Sequence, residues 1–278
     1  MYWDDLVSRA RQRGTSARQE FREEVQKAAL ASLSRKGAFS FFALQGGGAL
    51  RFFHGSPRFS ADLDFASIGR KARIDAATFE GSLRRFVSRT FPYLGQVVTR
   101  VRKTTQGTTR IVIETLSDQV DQRIRVHLEF AQIPSYLNEP KVLDYPPLSP
   151  VVRVEQLSEI VADKITALGN RPYVKGRDIW DLYFLVWERK VQVPWRLVAR
   201  KANDYGATFE DLARRLSEVA GRLRSEGASL LTREMEIFLP HNALEQYRTS
   251  LDRIVSFVAC LLEEAERADW EVAGHEAE

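Results

Sequence analysis

The amino-acid sequence predicts an α+β protein, in which an N-terminal mixed β-sheet with flanking helices is followed by a C-terminal helical bundle. Three observations predict this class. Short apolar runs typical of strands alternate with helical patterns in the first half of the chain. Four prolines cluster between residues 138 and 150, which predicts a linker. Beyond residue 155 the pattern is almost entirely helical, so we expect two domains, residues 1–150 and 151–278.

Length and composition exclude several classes of protein. The chain has 278 residues, of which 44% are hydrophobic and 28% charged, as in globular rather than disordered or collagen-like proteins. The sequence shows neither a bilayer-spanning apolar run nor a signal-peptide pattern, so we expect a cytoplasmic protein without a membrane partner. The one cysteine, Cys260, excludes an intrachain disulfide and a Cys-rich zinc site, and its apolar neighbours predict a core position. A net charge of +4 permits a polyanionic ligand such as a nucleotide or RNA.

Helices and strands alternate in the predicted N-terminal half. Ser16 and Gln19 form a capping-box pattern that starts a helix over residues 16–36, and Gly37 ends it. Further predictions are a strand at 38–44, a helical turn at 49–53, a strand at 62–65, a helix at 74–90, and strands at 96–103, 108–116 and 123–130.

Helical periodicity dominates the C-terminal half. The predicted helices are 155–169, 177–190, 194–204, 208–224, 230–238 and 242–269. A basic stretch in this half would suit a polyanionic acceptor, and a solvated helix face explains it equally well; it consists of Arg214, Arg215, Arg222 and Arg224.

Three consecutive glycines, Gly46, Gly47 and Gly48, follow the first predicted strand. Without side chains, they let the backbone approach a ligand closely and direct N–H groups at phosphate oxygens. A helix starting near Ala49 would add a favourable partial charge for phosphate at its N-terminus. The pattern therefore indicates a phosphate-binding turn.

Two aspartates, Asp62 and Asp64, follow the glycines by about 15 residues, after Arg58 and Ser60. Because they are two residues apart on a strand, both carboxylates face the same side. Adjacent carboxylates repel each other unless a cation lies between them, and Mg²⁺ prefers such oxygen ligands. The aspartates therefore predict a magnesium site beside the glycines; the alternative is a surface strand with two solvated acids.

A third carboxylate, Glu129, lies on the polar face of the strand predicted over residues 123–130. A neighbouring strand of this kind is what a two-metal site needs for its third acid. His127 is the nearest alternative occupant of that face, and a solvated strand face is the structural alternative.

Lys164 lies close to the centre of the apolar stripe on its predicted helix, where a cation needs an anionic partner. That partner is a phosphate or an aspartate, unless the lysine extends outward to solvent. Asp178 and Asp181 are three residues apart on an apolar helix. Asp178 can serve as a helix cap, whereas Asp181 needs a partner such as Lys164 or Arg177. A structural ion pair between two helices is the alternative to a catalytic role.

In combination and order, these motifs resemble the AbiEii/AbiGii toxin family of nucleotidyltransferases, part of the polymerase-β-like superfamily. The resemblance runs from about residue 38 to residue 187, and more loosely to the C-terminus. The family's first motif, a Gly-Gly pair followed by Arg-x-Ser-x-Asp-x-Asp, matches Gly46, Gly47, Arg58, Ser60, Asp62 and Asp64. Its helical lysine matches Lys164. Its Arg-Asp-x-x-Asp-Leu motif matches Arg177, Asp178, Asp181 and Leu182. Members usually carry threonine where this chain has Gly48, and the acid expected on the later strand is Glu129.

The resemblance implies an enzyme that transfers a nucleoside monophosphate from an NTP to an acceptor with the help of Mg²⁺. It implies metal binding by Asp62, Asp64 and Glu129, and nucleotide binding by Gly46, Gly47, Gly48, Arg58, Ser60 and Lys164. Catalytic roles follow for the three metal-binding acids and for Lys164, Asp178 and Asp181.

The same resemblance implies partners and leaves alternatives. It implies a toxin with an RNA acceptor, such as tRNA, and an antitoxin, often a winged-helix regulator. A non-catalytic RNA- or partner-binding protein on the same fold and a small-molecule nucleotidyltransferase are the alternatives.

Overall fold

Contacts divide the chain into two units, residues 1–156 with 240–242 and residues 157–239 with 243–278. The computed structural model describes residues 3–69, 75–93, 95–104, 107–118 and 122–270. The first unit holds a mixed sheet with flanking helices, and the second is helical. The predicted α+β class is therefore confirmed.

The sheet of the first unit has seven strands in the order β3-β4-β5-β2-β1-β7-β6. At its centre β2 pairs antiparallel with β1 and parallel with β5, which makes the sheet mixed. The strands are β1 (Phe42–Gln45), β2 (Leu63–Ile68), β3 (Gln96–Thr104), β4 (Thr108–Leu116), β5 (Arg125–Ser135), β6 (Asn138–Val142) and β7 (Val151–Glu155).

Four helices accompany this sheet: α1 (Trp3–Arg13), α2 (Ala17–Arg35), α3 (Gly46–Phe53) and α4 (Glu80–Thr90). The capping box of Ser16 and Gln19 at the start of α2 is confirmed. The predicted helix at 74–90 is α4 preceded by a 3₁₀ turn, and residue 74 lies outside the described residues. Helix α1 was not predicted from the sequence; it packs on α2, and Arg9 forms an ion pair with Glu24 of α2 at 2.9 Å.

Two predictions for the sheet of the first unit are wrong. The stretch 138–150 is not simply a linker, because residues 138–142 form β6 and pair antiparallel with β7. Pro140 is tolerated there since β6 is an edge strand, where a missing N–H need not break a ladder. The strand expected at 38–44 begins only at Phe42, after a 3₁₀ turn.

Aromatic packing on one face of the sheet fixes which residues appear on the other. Phe65 of β2 stacks on Phe130 of β5 with ring centroids 4.6 Å apart, and Phe42 of β1 meets Phe130 edge-on at 5.0 Å. Because side chains alternate along a strand, Asp64 and Glu129 point to the opposite face. The aromatic core therefore determines where the candidate carboxylates lie.

The C-terminal half is helical as predicted. Its helices are α5 (Leu157–Asn170), α6 (Gly176–Leu182), α7 (Trp195–Asp204), α8 (Phe209–Phe238), α9 (His241–Tyr247) and α10 (Leu251–Glu263). A π-helical segment at Tyr183–Glu188 continues α6. Among the described residues, no helix combines the length and the apolar composition that crossing a membrane requires.

Three details of the helical half were predicted wrongly. The helices expected at 208–224 and 230–238 are one helix, α8, in which Gly227 is a packing residue: a Cβ there would lie 2.7 Å from Val255 Cγ1 of α10. The single helix expected at 242–269 is divided into α9, α10 and short 3₁₀ segments. Cys260 is exposed rather than in the core, because the buried face of α10 is formed by neighbours such as Val258 and Leu261.

We expect Phe130→Ala to lower the free energy of unfolding by about 3–5 kcal/mol, because the cavity would remove ring contacts with Phe65 and Phe42. Urea titration followed by circular dichroism measures this loss. Val142→Ala, at a position that is 65% exposed, is the control and should change stability by no more than about 0.5 kcal/mol. A loss below about 1 kcal/mol for Phe130→Ala would contradict the central place of this ring.

Candidate active site

The three glycines form the first turn of helix α3, directly after β1. The helix begins at Gly46 rather than near Ala49, so the expected separate glycine turn is wrong. Gly46 has φ +63°, a conformation that favours glycine. The side chain of Gln45 at the N-cap makes no capping hydrogen bond, which leaves the first N–H groups of α3 without that partner.

Close packing joins the glycines to the segment before β2. A Cβ on Gly47 would lie 2.7 Å from Arg58 Nη2 and 3.0 Å from Ser60 Oγ. A Cβ on Gly46 would lie 3.6 Å from Asp64 Oδ2. The structure therefore brings these residues of the first motif together, and Gly47 has room for no side chain unless its neighbours move.

Gly48 has a different environment from the other two glycines. It is buried, and a Cβ at this position would lie 3.2 Å from Leu63 Cδ2 and 3.6 Å from the backbone oxygen of Asp62. Its missing side chain thus allows α3 to pack closely against the start of β2.

Arg58 and Ser60 shape the loop that carries the aspartates. Arg58 is 2% exposed, and its Nη1 donates to the carbonyl of Phe59 at 2.9 Å. The hydroxyl of Ser60 donates to the carbonyl of Asp62 at 3.0 Å. From α2, Gln26 donates its side-chain N–H to the carbonyl of Ser60 at 3.0 Å. These bonds hold the backbone of the loop in one conformation.

Two of the three candidate carboxylates share one face of the sheet. Asp64 on β2 is paired in register with Glu129 on the parallel strand β5. Neighbours in register project to the same side. Asp62 lies in a bend directly before β2 and not in the strand that the sequence predicts. All three are half-buried. His127 lies two residues before Glu129, so Glu129 rather than His127 is level with Asp64.

A cation from the protein itself, Arg110 of β4, faces these carboxylates. Its Nε donates to Glu129 Oε2 at 3.1 Å, and its Nη2 contacts the same oxygen. The hydrogen bond to Glu129 is the main cause that raises the pKa of Arg110, and Asp62 and Asp64 raise it further. A positive charge is thus already stabilised beside all three candidate carboxylates. Carboxylate oxygens are the ligands that hard divalent ions prefer.

Arg22 of α2 adds a second cation near Asp62. Burial lowers the pKa of Arg22, and repulsion from Arg18 lowers it further, whereas Asp62 acts in the opposite direction. Neither Arg22 nor Arg110 was predicted from the sequence. The register between β4 and β5 and the docking of α2 bring them to the aspartates, and neither is encoded in a local pattern.

The second unit holds the other predicted residues in one ion-pair cluster. Lys164 Nζ lies 2.7 Å from Asp178 Oδ1 and 2.6 Å from Asp181 Oδ2. Arg171 Nη1 lies 2.6 Å from the other oxygen of Asp178. The partner of Asp181 is therefore Lys164 and not Arg177. Asp178 is not a helix cap, because the N-cap of α6 is Lys175.

Burial and charge act in opposite directions on Asp178. Burial alone would raise the pKa of this carboxyl, but Lys164 and Arg171 outweigh it and hold the pKa below the ordinary 3.8. Asp178 therefore stays ionised at neutral pH, inside a network that neutralises its charge.

A further buried cation was not predicted as a site residue. Lys201 of α7 has no exposed surface, and its Nζ lies 2.6 Å from Glu159 and 2.8 Å from Asp163 of α5. A buried lysine between two carboxylates holds α7 on α5. The sequence around Lys201 has only the pattern of an ordinary helix, which gives no sign that this lysine is buried.

Comparison with known proteins decides the family. The profile of the nucleotidyl transferase AbiEii toxin, described as a type IV toxin–antitoxin system, matches residues 28–271. The chain belongs to the AbiEii family. As an AbiEii protein it is a nucleotidyltransferase, and the family implies an antitoxin as its partner.

Two solved structures share the fold of this AbiEii protein. A candidate nucleotidyltransferase from Helicobacter pylori has 19% identity and a TM-score of 0.54, covering 88% of this chain and 95% of that one. JHP933 from Helicobacter pylori has 20% identity and a TM-score of 0.53, covering 91% of this chain and 96% of that one. Among curated proteins, none matches the chain.

We expect Lys164→Ala to destabilise this AbiEii protein by about 3–5 kcal/mol, because two buried carboxylates lose the ammonium between them. Chemical denaturation measures the loss. Arg196→Ala, which breaks an exposed ion pair with Asp269, is the control and should cost no more than about 1 kcal/mol. A loss below about 1 kcal/mol for Lys164→Ala would show that the cluster is not structural.

The pH dependence of stability provides a separate test of Asp178. Because its pKa is lower in the folded protein than in the unfolded chain, the ionised carboxylate stabilises the fold above about pH 4, and this contribution is lost as pH falls through the folded pKa. Asp178→Asn should therefore cost about 1–3 kcal/mol at pH 7 and less at pH 3. Urea titrations at pH 7, 5 and 3 compare the two proteins. A difference in unfolding free energy between the unaltered protein and Asp178→Asn that grows towards low pH would contradict the lowered pKa of Asp178.

Proposed function

We propose that this AbiEii toxin transfers a nucleoside monophosphate from an NTP to an RNA acceptor, a tRNA, with Mg²⁺ as its cofactor. The observation that carries the proposal is the alignment of Asp64 with Glu129 on parallel strands, with Asp62 close by and the first turn of α3 in contact with the same segment. It combines oxygen ligands for a hard cation with N–H groups for phosphate.

In this proposal Mg²⁺ is held by Asp62, Asp64 and Glu129. Bound there, the metal would neutralise phosphate charge and favour the ionised acceptor hydroxyl. The pairing of Glu129 with Arg110 supports a metal-binding role for Glu129, since this carboxylate already accepts a cationic partner. Arg110 is then released towards the phosphates or stays as an additional positive charge.

The triphosphate is held by the backbone and by cationic side chains. N–H groups of Gly46, Gly47 and Gly48 at the start of α3 donate to phosphate oxygens, and the helix terminus adds its partial positive charge. Arg58 and Ser60 keep the adjoining loop in place for this contact. Arg22 is a further cation within the electrostatic range of Asp62.

The reaction forms one bond and breaks one. The acceptor hydroxyl oxygen attacks the α-phosphorus, the bond from this phosphorus to the oxygen bridging the α- and β-phosphates breaks, and pyrophosphate leaves. The hydroxyl proton passes to Glu129 or Asp64 as the attack proceeds. Most of the rate enhancement comes from positioning and from fixed charges, as in other phosphoryl transfers.

For the lysine cluster we retain the role that the family resemblance implies. Lys164 neutralises charge that develops on the triphosphate, and Asp178 and Asp181 orient its ammonium group. A catalytic role of this kind adds a second effect to the stability loss of Lys164→Ala: NTP binding weakens in the protein that remains folded.

The biological setting completes the proposal. As a toxin that acts on NTP and tRNA, the protein would work in the cytoplasm. A winged-helix regulator is the proposed antitoxin.

The decisive experiment incubates the purified protein with Mg²⁺, bulk tRNA and each of the four α-labelled NTPs in turn. We expect label in RNA with at least one NTP, and a loss of about 10³-fold in Asp64→Asn, because a neutral amide is a poor Mg²⁺ ligand. Asp144→Asn is the matched control, since Asp144 is an exposed aspartate of the same unit. It should transfer as well as the unaltered protein.

The other outcomes separate the alternatives. Transfer that survives in folded Asp64→Asn contradicts the metal role of this residue. Mg²⁺-dependent NTP binding without transfer to any acceptor favours a non-catalytic binding protein. Label that appears only in small-molecule acceptors supplied in parallel favours a small-molecule nucleotidyltransferase.

A further inference from the structure

A basic cleft lies in the first unit, between α2 and α4. It has a volume of about 340 Å³ and is lined by four cationic side chains, three hydroxyl side chains and one aromatic ring: Arg35, Lys36, Arg85, Arg89, Ser32, Ser82, Thr90 and Phe86. All four cationic residues are exposed. None of these eight lining residues is acidic.

The positive charge of this cleft is available to a ligand. Within the described part of the chain, no carboxylate forms an ion pair with any of its four cations. The guanidinium of Arg35 lies 5.8 Å from the ring centroid of Phe86, so one cation faces an aromatic surface and not a counter-charge. Exposed cations beside hydroxyl groups and an aromatic ring are the chemistry that binds a sugar–phosphate backbone.

The basic stretch of α8 is less available. Arg214 pairs with Asp211 at 2.6 Å, and Arg224 pairs with Glu263 at 2.5 Å. Arg222 and Arg215 donate to backbone carbonyls. Because carboxylates already neutralise two of its four arginines, this stretch offers a polyanion less charge than the cleft does.

The position of the cleft indicates a polymeric ligand. Helix α2 connects the two places: Arg22 lies near Asp62, and Arg35 borders the cleft thirteen residues later. At 1.5 Å per residue the separation along the helix axis is about 20 Å. A single nucleotide cannot span this distance, whereas a strand of about six stacked nucleotides does.

We propose that the cleft of Arg35, Lys36, Arg85 and Arg89 binds the phosphate backbone of the RNA acceptor, at a distance from the atoms that react. The inference rests on the proposed function for the identity of the acceptor. It assigns the positioning of the RNA to α2 and α4 of the first unit, whereas the sequence alone had drawn attention to the arginines of α8.

The test measures binding of fluorescently labelled bulk tRNA to the full chain over a series of salt concentrations. In Arg85→Glu/Arg89→Glu we expect at least about tenfold weaker binding at physiological salt. The slope of log K against log salt should become shallower by about 0.7 for each phosphate that the variant no longer neutralises. Arg84→Glu is the matched control, because Arg84 is an exposed arginine of the same helix that does not line the cleft.

Further variants keep the result interpretable. Arg85→Gln/Arg89→Gln removes the charges without reversing them and replaces the first pair if that pair fails to fold. Mg²⁺–NTP binding should stay unchanged in all of these variants. Asp64→Asn, in contrast, should lose transfer while retaining tRNA binding, so failure of the proposed function and failure of this inference give different results.

Two results would overturn the assignment. One is tRNA binding by the double variants that equals binding by Arg84→Glu. The other is a loss of binding to vesicles of anionic phospholipid with tRNA binding unaffected, which would make the cleft a membrane-surface site.

Discussion

Repulsion between like charges is the constraint around which the first unit is built. The parallel register of β2 and β5 sets Asp64 beside Glu129 on one face while Phe65 stacks on Phe130 on the other. Two unit charges about 4 Å apart repel by about 1 kcal/mol in water and about 4 kcal/mol at the effective dielectric near a protein surface. A slip of one residue would relieve the repulsion, but it would also turn the aromatic rings out of the core. Burial of the rings therefore maintains an arrangement of acids that is stable only with a cation nearby, and Arg110 supplies one.

Burial distinguishes the roles of three cations that contact carboxylates: Lys201, Lys164 and Arg110. Lys201 is fully buried with Glu159, so it is inaccessible to solvent and to ligands. Lys164 is 13% exposed between two nearly inaccessible aspartates. The side chains of Arg110 and Glu129 are 37% and 36% exposed. Only a pair that water reaches can exchange partners at a modest desolvation cost, because a buried pair would leave an uncompensated charge behind. Of these three pairs, the Arg110–Glu129 pair is therefore the one that can exchange its cation most easily, as the proposed metal role of Glu129 would require.

Patterns local in sequence predicted much of this fold and site, and pairings between distant segments account for what was missed. The capping box at Ser16 depends on adjacent residues, and the structure contains it. Of the two aspartates predicted on one strand, Asp64 lies on β2 and Asp62 lies in the bend before it. Helical periodicity and the need of a buried acid for a cation predicted a partner for Asp181 and left Lys164 and Arg177 as candidates; the structure shows Lys164. Strand β7 and the role of Arg110 depend on sheet neighbours that no local pattern specifies. The same is true of Gly227, which breaks a helix by propensity alone but serves here to admit Val255.

The environment of Gly48 bears on how phosphate would be recognised. Family members usually carry threonine at this position, where a hydroxyl is available to a phosphate oxygen. Here a Cβ would lie 3.2 Å from Leu63 Cδ2, so a larger side chain would require α3 to move away from β2. Such a shift would also disturb Gly47, which is packed against Arg58 and Ser60. Without the hydroxyl, the proposed phosphate recognition would depend on backbone N–H groups and on cationic side chains. Both recognise the charge of a phosphate and ignore the base, so selectivity among NTPs must come from residues outside this motif.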